Sequence, residues 1–397
     1  MITRIRIDNF KSLVDFDLPP APHELGGFTC LIGLNGAGKT TLLQAFDFIS
    51  QVATGGVAGW LDRREWQQLD FINNRGTKRV ITFSVTLRTR SGETIEWNVS
   101  FNAYELRCTT ETITAGAKIL LRLEKRSLTF AGAGDGAEQR FDPIPFEYSG
   151  SVLSTLKLAE ADPRISEVKA SLEGLRSLEL LSPQLMRRKA RASREIGVSG
   201  EKLSPFLDQL SVESKDRLQS LLHDFYPQLT TWNIKGFRAG WKILSIQETF
   251  GGSRPVSANH INDGFLRVIA ILSQSFTEHQ MLLLDEIENG INPALIEKLM
   301  DFLVGLGKQG KQVIITTHSP VILNFLDDQV ARDGVVLLYK TADGRTRACR
   351  YFDQPETGYK LQVLGPGEVF VDTDLTKLAA RLASEPREEK TRSEGGK

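Results

Sequence analysis

This 397-residue chain predicts an α/β fold, and three places in it carry the prediction. Each is a short apolar run, of the length of a buried strand, that stops abruptly at residues able to do chemistry. Residues 28–32 (Phe-Thr-Cys-Leu-Ile) run into Gly33-Leu34-Asn35-Gly36-Ala37-Gly38-Lys39-Thr40, followed by a helical stretch, Thr41-Leu42-Leu43-Gln44-Ala45-Phe46. Residues 281–284 (Met-Leu-Leu-Leu) end in Asp285-Glu286. Residues 313–315 (Val-Ile-Ile) end in Thr316-Thr317-His318-Ser319-Pro320.

Strand, glycine loop and helix in that order are the context a phosphate-binding loop requires. Glycines let backbone N–H groups turn inward around phosphate oxygens, and the helix N-terminus adds partial positive charge. Asn35, Gly36, Ala37, Gly38, Lys39, Thr40 and Thr41 are therefore candidate nucleotide-binding residues. Lys39 can reach the β- and γ-phosphates, and the Thr40 hydroxyl can ligate Mg²⁺. The competing reading is a glycine-rich strand–helix turn that matches by chance. An acid at the end of a buried strand is costly unless something pairs with it. Mg²⁺ held through water by Asp285 is such a partner, and Glu286 then stands where a general base can polarise water. The competing reading is a strand end that becomes exposed. His318 is either a structural, hydrogen-bonded histidine or a sensor of the γ-phosphate that orients water.

Taken in sequence, these motifs resemble the ABC-type ATPase heads of the SMC, RecF and OLD-like families. The opening Ile5-Arg6-Ile7-Asp8-Asn9-Phe10-Lys11-Ser12-Leu13 is similar to their first strand and turn, and Glu288-Asn289-Gly290-Ile291-Asn292-Pro293 to their D-loop. Gly197-Val198-Ser199-Gly200-Glu201-Lys202-Leu203 resembles a segment of stand-alone ATPases from bacterial defence operons. The resemblance covers roughly residues 1–340 and implies ATP and Mg²⁺ as ligands. It also implies that the turn at Lys11 and Ser12 contacts nucleotide. Asn292 stands where the family usually has histidine. The signature expected before the acidic strand falls on Ile261-Asn262-Asp263-Gly264-Phe265-Leu266-Arg267. Asn262 or Asp263 can cap a helix there, and Gly264 lets a phosphate approach. In the family this helix end faces the γ-phosphate held by the opposite subunit, so Asn262 and Gly264 join the candidate nucleotide contacts. An acid at 263 would repel phosphate and is expected to point away or to cap. Gln67 and Gln68 are candidates for a Q-loop, with exposed linker residues as the alternative.

The rest of the chain fits a head with inserted elements. Lobe I is expected over 1–148, with an antiparallel β subdomain between 79 and 133. Within it, residues 80–87 alternate, Arg90-Ser91-Gly92-Glu93 turns the chain back, and Ala131-Gly132-Ala133-Gly134-Asp135-Gly136 is a glycine-rich loop. A mainly helical insertion is expected over 149–254, with no sustained heptad and no Cys-x-x-Cys. Lobe II follows over 255–384, with short strands and turns between 345 and 372, and then a disordered tail over 385–397. Basic and acidic residues number 49 each, so no global field draws the chain to nucleic acid or membrane. No apolar run is long enough to span a bilayer, and the N-terminus reads as a strand rather than a signal peptide. Three scattered cysteines indicate a reducing cytoplasm. The cluster Arg187-Arg188-Lys189-Ala190-Arg191 with Arg194 reads as a solvated basic helix face, with nucleic acid or an acidic partner as the alternative.

The expectation is an ATPase whose two subunits sandwich two ATP molecules. Hydrolysis would switch a separate effector, such as a nuclease or toxin, in antiphage defence. The alternative is a DNA-repair or DNA-structure-sensing ATPase that clamps DNA. A transporter subunit fits the signature poorly. OLD-like nucleases carry a further metal-binding domain, and the residues after His318 are too few for one of ~100 residues, so the chain itself is not expected to cut DNA.

Overall fold

Residues 28–32 are buried at every position, as expected of a strand covered on both faces. A computed structural model describes residues 1–133, 137–178, 182–249 and 256–385. Gly134 to Gly136 of the glycine-rich loop, the boundary expected at 254/255 and the tail from 386 lie outside these residues.

The chain begins with β1 (Ile2–Asp8), β2 (Phe16–Leu18) and β3 (Phe28–Ile32), which leads into α1 (Lys39–Thr54) and α2 (Val57–Arg63). Six strands follow: β4 (Val80–Arg88), β5 (Thr94–Asn102), β6 (Arg107–Ala115), β7 (Lys118–Glu124), β8 (Ser127–Ala131) and β9 (Glu138–Phe141). With β1 and β2 they form an eight-stranded antiparallel sheet, ordered β2-β1-β4-β5-β6-β7-β8-β9. Strict alternation in β4 and β5 puts Ile81, Phe83, Val85, Ile95, Trp97 and Val99 inward and Thr, Ser and Asn outward.

Next come α3 (Pro163–Glu173), β10 (Leu175–Leu178), α4 (Pro183–Met186), α5 (Leu203–Gln209) and α6 (Val212–Phe225). They are followed by a small antiparallel sheet, β11 (Leu229–Gly236), β12 (Lys242–Glu248) and β13 (Val256–Ser257). After α7 (Asp263–Ser273) come β14 (Met281–Leu284), α8 (Pro293–Lys308) and β15 (Gln312–Thr316). The chain then forms α9 (Pro320–Asn324), α10 (Asp328–Gly334), β16 (Val335–Lys340) and β17 (Thr346–Arg350). It closes with α11 (Pro355–Lys360), α12 (Pro366–Val371) and α13 (Leu375–Ser384).

The second large sheet is ordered β10-β14-β15-β3-β16-β17, parallel except for its last strand. Its registers align Leu284 with Ile315 and Thr316 with Leu31. The three polar strand ends therefore meet along one edge, the carboxyl side where open parallel sheets place ligands. Helix α1 is buried at Leu42, Leu43, Ala45, Phe46, Phe48, Ile49 and Val52, and Phe48 sits 5.2 to 5.8 Å from the rings of Phe10, Phe71, Phe101 and Trp60. This aromatic cluster fixes the helix that begins at the glycine loop.

Two expectations change. The stretch read as helical contains β10, which extends the parallel sheet beside β14, and the residues after it build a three-stranded sheet. Among residues 345–372, only β17 is a strand. Pro355 and Pro366 each open a short helix, the position at which proline costs least. Among the described residues, no helix is long and apolar enough to cross a membrane.

Candidate functional site

Gly33, Gly36 and Gly38 hold φ of +149°, +79° and +108°, backbone states that suit glycine. The loop is also braced from behind. A Cβ on Gly33 would stand 2.3 Å from the Leu338 carbonyl oxygen, and one on Gly38 2.5 Å from Thr346 Oγ1. Thr346, fully buried on β17, donates its hydroxyl to the Ala37 carbonyl at 3.0 Å and accepts from Lys340 Nζ at 3.0 Å. A hydroxyl has one proton, so Ser12 Oγ, 2.9 Å away, is the donor to Thr346. Ser12 therefore sits in the brace behind the loop. Lys11 is pinned beside α1: its ammonium donates to Gln44 Oε1 at 2.9 Å and lies 3.5 Å from the Trp66 ring centroid.

Lys39 is buried and curls into its own loop, donating to the Gly33 carbonyl at 2.8 Å. Burial lowers its pKa, while Asp285, Glu286 and Glu288 pull it back up. Asn35, Gly36 and Thr40 are exposed, Thr41 is half-exposed, and Ala37 is buried.

The acidic strand end meets this loop directly. Thr40 Oγ1 donates to Asp285 Oδ2 at 2.9 Å, and Thr316 Oγ1 donates to Asp285 Oδ1 at 2.5 Å. A hydroxyl and a carboxylate brought together at a loop's mouth are the hard oxygen donors that suit Mg²⁺, so Thr40 and Asp285 fit that ion. Glu286 has φ +45°, unusual for a residue with a Cβ, and its N–H donates to Thr316 Oγ1 at 2.8 Å. Strained backbone held by its surroundings is a mark of functional positions. Asn289 Nδ2 donates to Glu286 Oε2, and His318 Nε2 lies 3.8 Å from Glu286 Oε1. Glu288 Oε1 accepts from Thr317 Oγ1 at 2.9 Å and from the His318 N–H at 2.8 Å. Sequence reasoning gave no role to Thr316, Glu288, Asn289 or Thr346. The first three lay inside motifs already quoted, whereas Thr346 carried no signal of its own.

The signature residues are arranged differently. Asn262 caps α7, accepting from the Phe265 N–H at 2.7 Å. Asp263 pairs with Arg187, whose Nη2 donates to Asp263 Oδ1 at 2.5 Å and to the Ile261 carbonyl at 2.6 Å. A Cβ on Gly264 would meet the Gly290 carbonyl oxygen at 2.9 Å, so within the chain this glycine serves close packing against the D-loop. Arg267, one turn along α7, borders a small cavity with Asp285, Glu286 and Ile291, and its buried Nε has no hydrogen-bond partner. Asn292 caps α8 through the Ala294 N–H at 3.0 Å. Gln68 donates to the Tyr104 carbonyl, and the Gln67 N–H to Asp70.

Two family profiles match. One described as "AAA domain" covers residues 4–130, and one described as "AAA domain, putative AbiEii toxin, Type IV TA system" covers 151–324. The chain is 40% identical over 81 residues to an OLD nuclease of Thermus scotoductus, a match spanning 20% of this chain and 13% of that protein. It is 29% identical over 89 residues to an energy-coupling factor transporter ATP-binding protein of Oenococcus oeni, spanning 22% of this chain and 30% of that one. The chain thus spans under a third of these curated relatives. Its fold is similar to that of an SMC head solved with the C-winged helix domain of ScpA, at TM-score 0.52 and 13% identity, over 87% of this chain and 97% of the other.

Proposed function

We propose that this chain is an ABC-type ATPase of the SMC/RecF/OLD-like group and that it binds and hydrolyses ATP between two paired heads. The observation that carries the reading is the 2.9 Å contact from Thr40 to Asp285, which joins the glycine loop to the acidic strand beside Glu286. On this reading residues 1–148 and 255–384 are the two lobes and 149–254 the insertion between them. Asn35 to Thr41 wrap the phosphates, with Lys39 on the β/γ oxygens and Lys11 at the edge of the site. Mg²⁺, held by Thr40 and Asp285, would neutralise charge on the phosphates. Asn289 occupies one Glu286 oxygen and leaves the other, beside His318, to accept a proton from water. His318 senses the γ-phosphate. Asn262 and Gly264 meet the γ-phosphate of the partner head, so ATP acts as the ligand that selects the engaged dimer.

The engaged state is read here as a switch for a separate effector in antiphage defence. What favours this over DNA repair is the toxin–antitoxin description attached to the profile over residues 151–324. Glu286→Gln should retain ATP binding, lose turnover by roughly 10²- to 10⁴-fold and accumulate an ATP-bound dimer. Lys39→Ala should not bind ATP at all. Phosphate release and sedimentation velocity measure both. Wild-type turnover in Glu286→Gln would place the base elsewhere.

A further inference from the structure

The basic cluster does not lie on a helix. Helix α4 ends at Met186, and the chain then runs beside the β11–β12 hairpin. There the Ala190 N–H donates to the Lys242 carbonyl at 3.1 Å and the Lys242 N–H to the Ala190 carbonyl at 2.9 Å. This bridge sets the cluster against the hairpin tip. Lys189 Nζ sits 3.8 Å from the centroid of the Phe237 ring, and the Arg191 guanidinium 5.0 Å from that of Trp241. Both rings stay in solvent, Phe237 45% and Trp241 37% exposed. Arg188 and Arg238 are exposed around them. The flanking cations are already used, Arg187 on Asp263 and Lys242 on Asp208. Among the described residues, no carboxylate forms an ion pair with Arg188, Lys189, Arg191 or Arg238.

A solvated basic face has no use for two large exposed rings. A duplex offers phosphates but keeps its bases stacked, and an acidic peptide offers carboxylates alone. Cations interleaved with exposed aromatic faces match a strand that presents phosphates and unstacked bases together. We propose that residues 188–191 and the hairpin tip at 237–241 bind single-stranded nucleic acid. Arg188, Lys189, Arg191 and Arg238 hold its phosphates, and Phe237 and Trp241 stack its bases. Neither the nucleotide site nor turnover enters this proposal, so it is tested on the full chain without ATP.

Anisotropy titrations would compare labelled oligothymidylate, oligouridylate, an abasic strand of equal length, the matching duplex and polyglutamate as competitor. Replacing Arg188, Lys189 and Arg191 by Ser should flatten the log–log salt slope by about 0.7 per cation. Phe237→Ala with Trp241→Ala should weaken oligothymidylate binding by roughly ten-fold or more, leaving the salt slope and the abasic strand's affinity unchanged. A preference for oligothymidylate or for oligouridylate identifies DNA or RNA as the source. Equal affinity for the abasic strand or the duplex would overturn the proposal. So would displacement by polyglutamate at matching charge, which would point to an acidic protein, or no binding at low salt. All five substituted positions are exposed, and unchanged thermal melting and ATP affinity would confirm that each variant is folded.

Discussion

The glycine-loop half of the site and the signature half are finished to different degrees. Around the loop, Thr40 and Thr316 both donate to Asp285, Ser12 donates to Thr346, Thr346 to the Ala37 carbonyl and Lys39 to the Gly33 carbonyl, all within the chain. Around the signature and the 288–293 segment packed against it, Arg187 Nε, Arg267 Nε and Glu288 Oε2 are buried without a partner, and Asp263 is held by a single arginine. Buried polar atoms left unpaired are costly and ask for a reason. The difference suggests that one half is organised before nucleotide arrives, while the other is completed by what comes to face it.

Breaking the brace should produce the largest loss. Thr346→Val keeps the volume but strands the Ala37 carbonyl and Ser12 Oγ, and leaves Lys340 Nζ with the Gly344 carbonyl alone. We expect about 2 kcal/mol of destabilisation, read from the urea midpoint, with weaker ATP binding. Thr346→Ser should recover most of it. On the signature side, Asn262→Ala removes only a helix cap, worth about 1 kcal/mol, and should leave ATP affinity of the isolated head unchanged. Equal losses of ATP affinity in the two variants would erase the distinction between the halves.

The comparison also shows what a sequence makes legible. Motif residues read clearly, because a glycine loop before a helix or an acid after a buried strand has few physical explanations. The brace did not. Thr346 lies 308 positions beyond Gly38 in a hairpin of ordinary composition, and only the sheet order, with β16 beside β3 and β17 beside β16, brings it under the loop. The short β10 was hidden for a similar reason: four residues between helices carry no period, and pairing with β14 makes them a strand. The basic run read as a helix face because the whole insertion around it read as helical; the helix that Pro183 opens stops at Met186, one residue before the cluster begins.

Arg187 offers a sharper test of the unfinished half. It neutralises an acid beside the helix end proposed to meet the partner's γ-phosphate. Arg187→Ala should weaken ATP-driven dimerisation several-fold and leave ATP binding to the monomer untouched. The pair is partly exposed, so its own stability contribution is small, at most about 1 kcal/mol. Asp263→Asn in the same chain should restore dimerisation, because it removes the charge that Arg187 offsets. Failure of that rescue, with the double variant as poor as the single, would make Arg187 a packing residue.

The smallest effect concerns the finished half and the proton on Lys39. Burial lowers its pKa below 10.5, against the pull of Asp285, Glu286 and Glu288. Between that lowered value and 10.5 the unfolded chain binds more protons than the folded one. Over this window the Lys39 contribution to stability therefore improves as pH rises. Triphosphate favours the ammonium and so raises the pKa again. ATP binding in alkaline buffer should then take up a fraction of a proton, and affinity should fall as pH rises through the lowered pKa. Calorimetry in two buffers of different ionisation enthalpy would read the uptake, and Lys39→Arg, which stays charged, should abolish it. An identical heat in both buffers for the unmodified protein would mean that the ammonium is already fully formed before nucleotide arrives, with the three carboxylates outweighing burial.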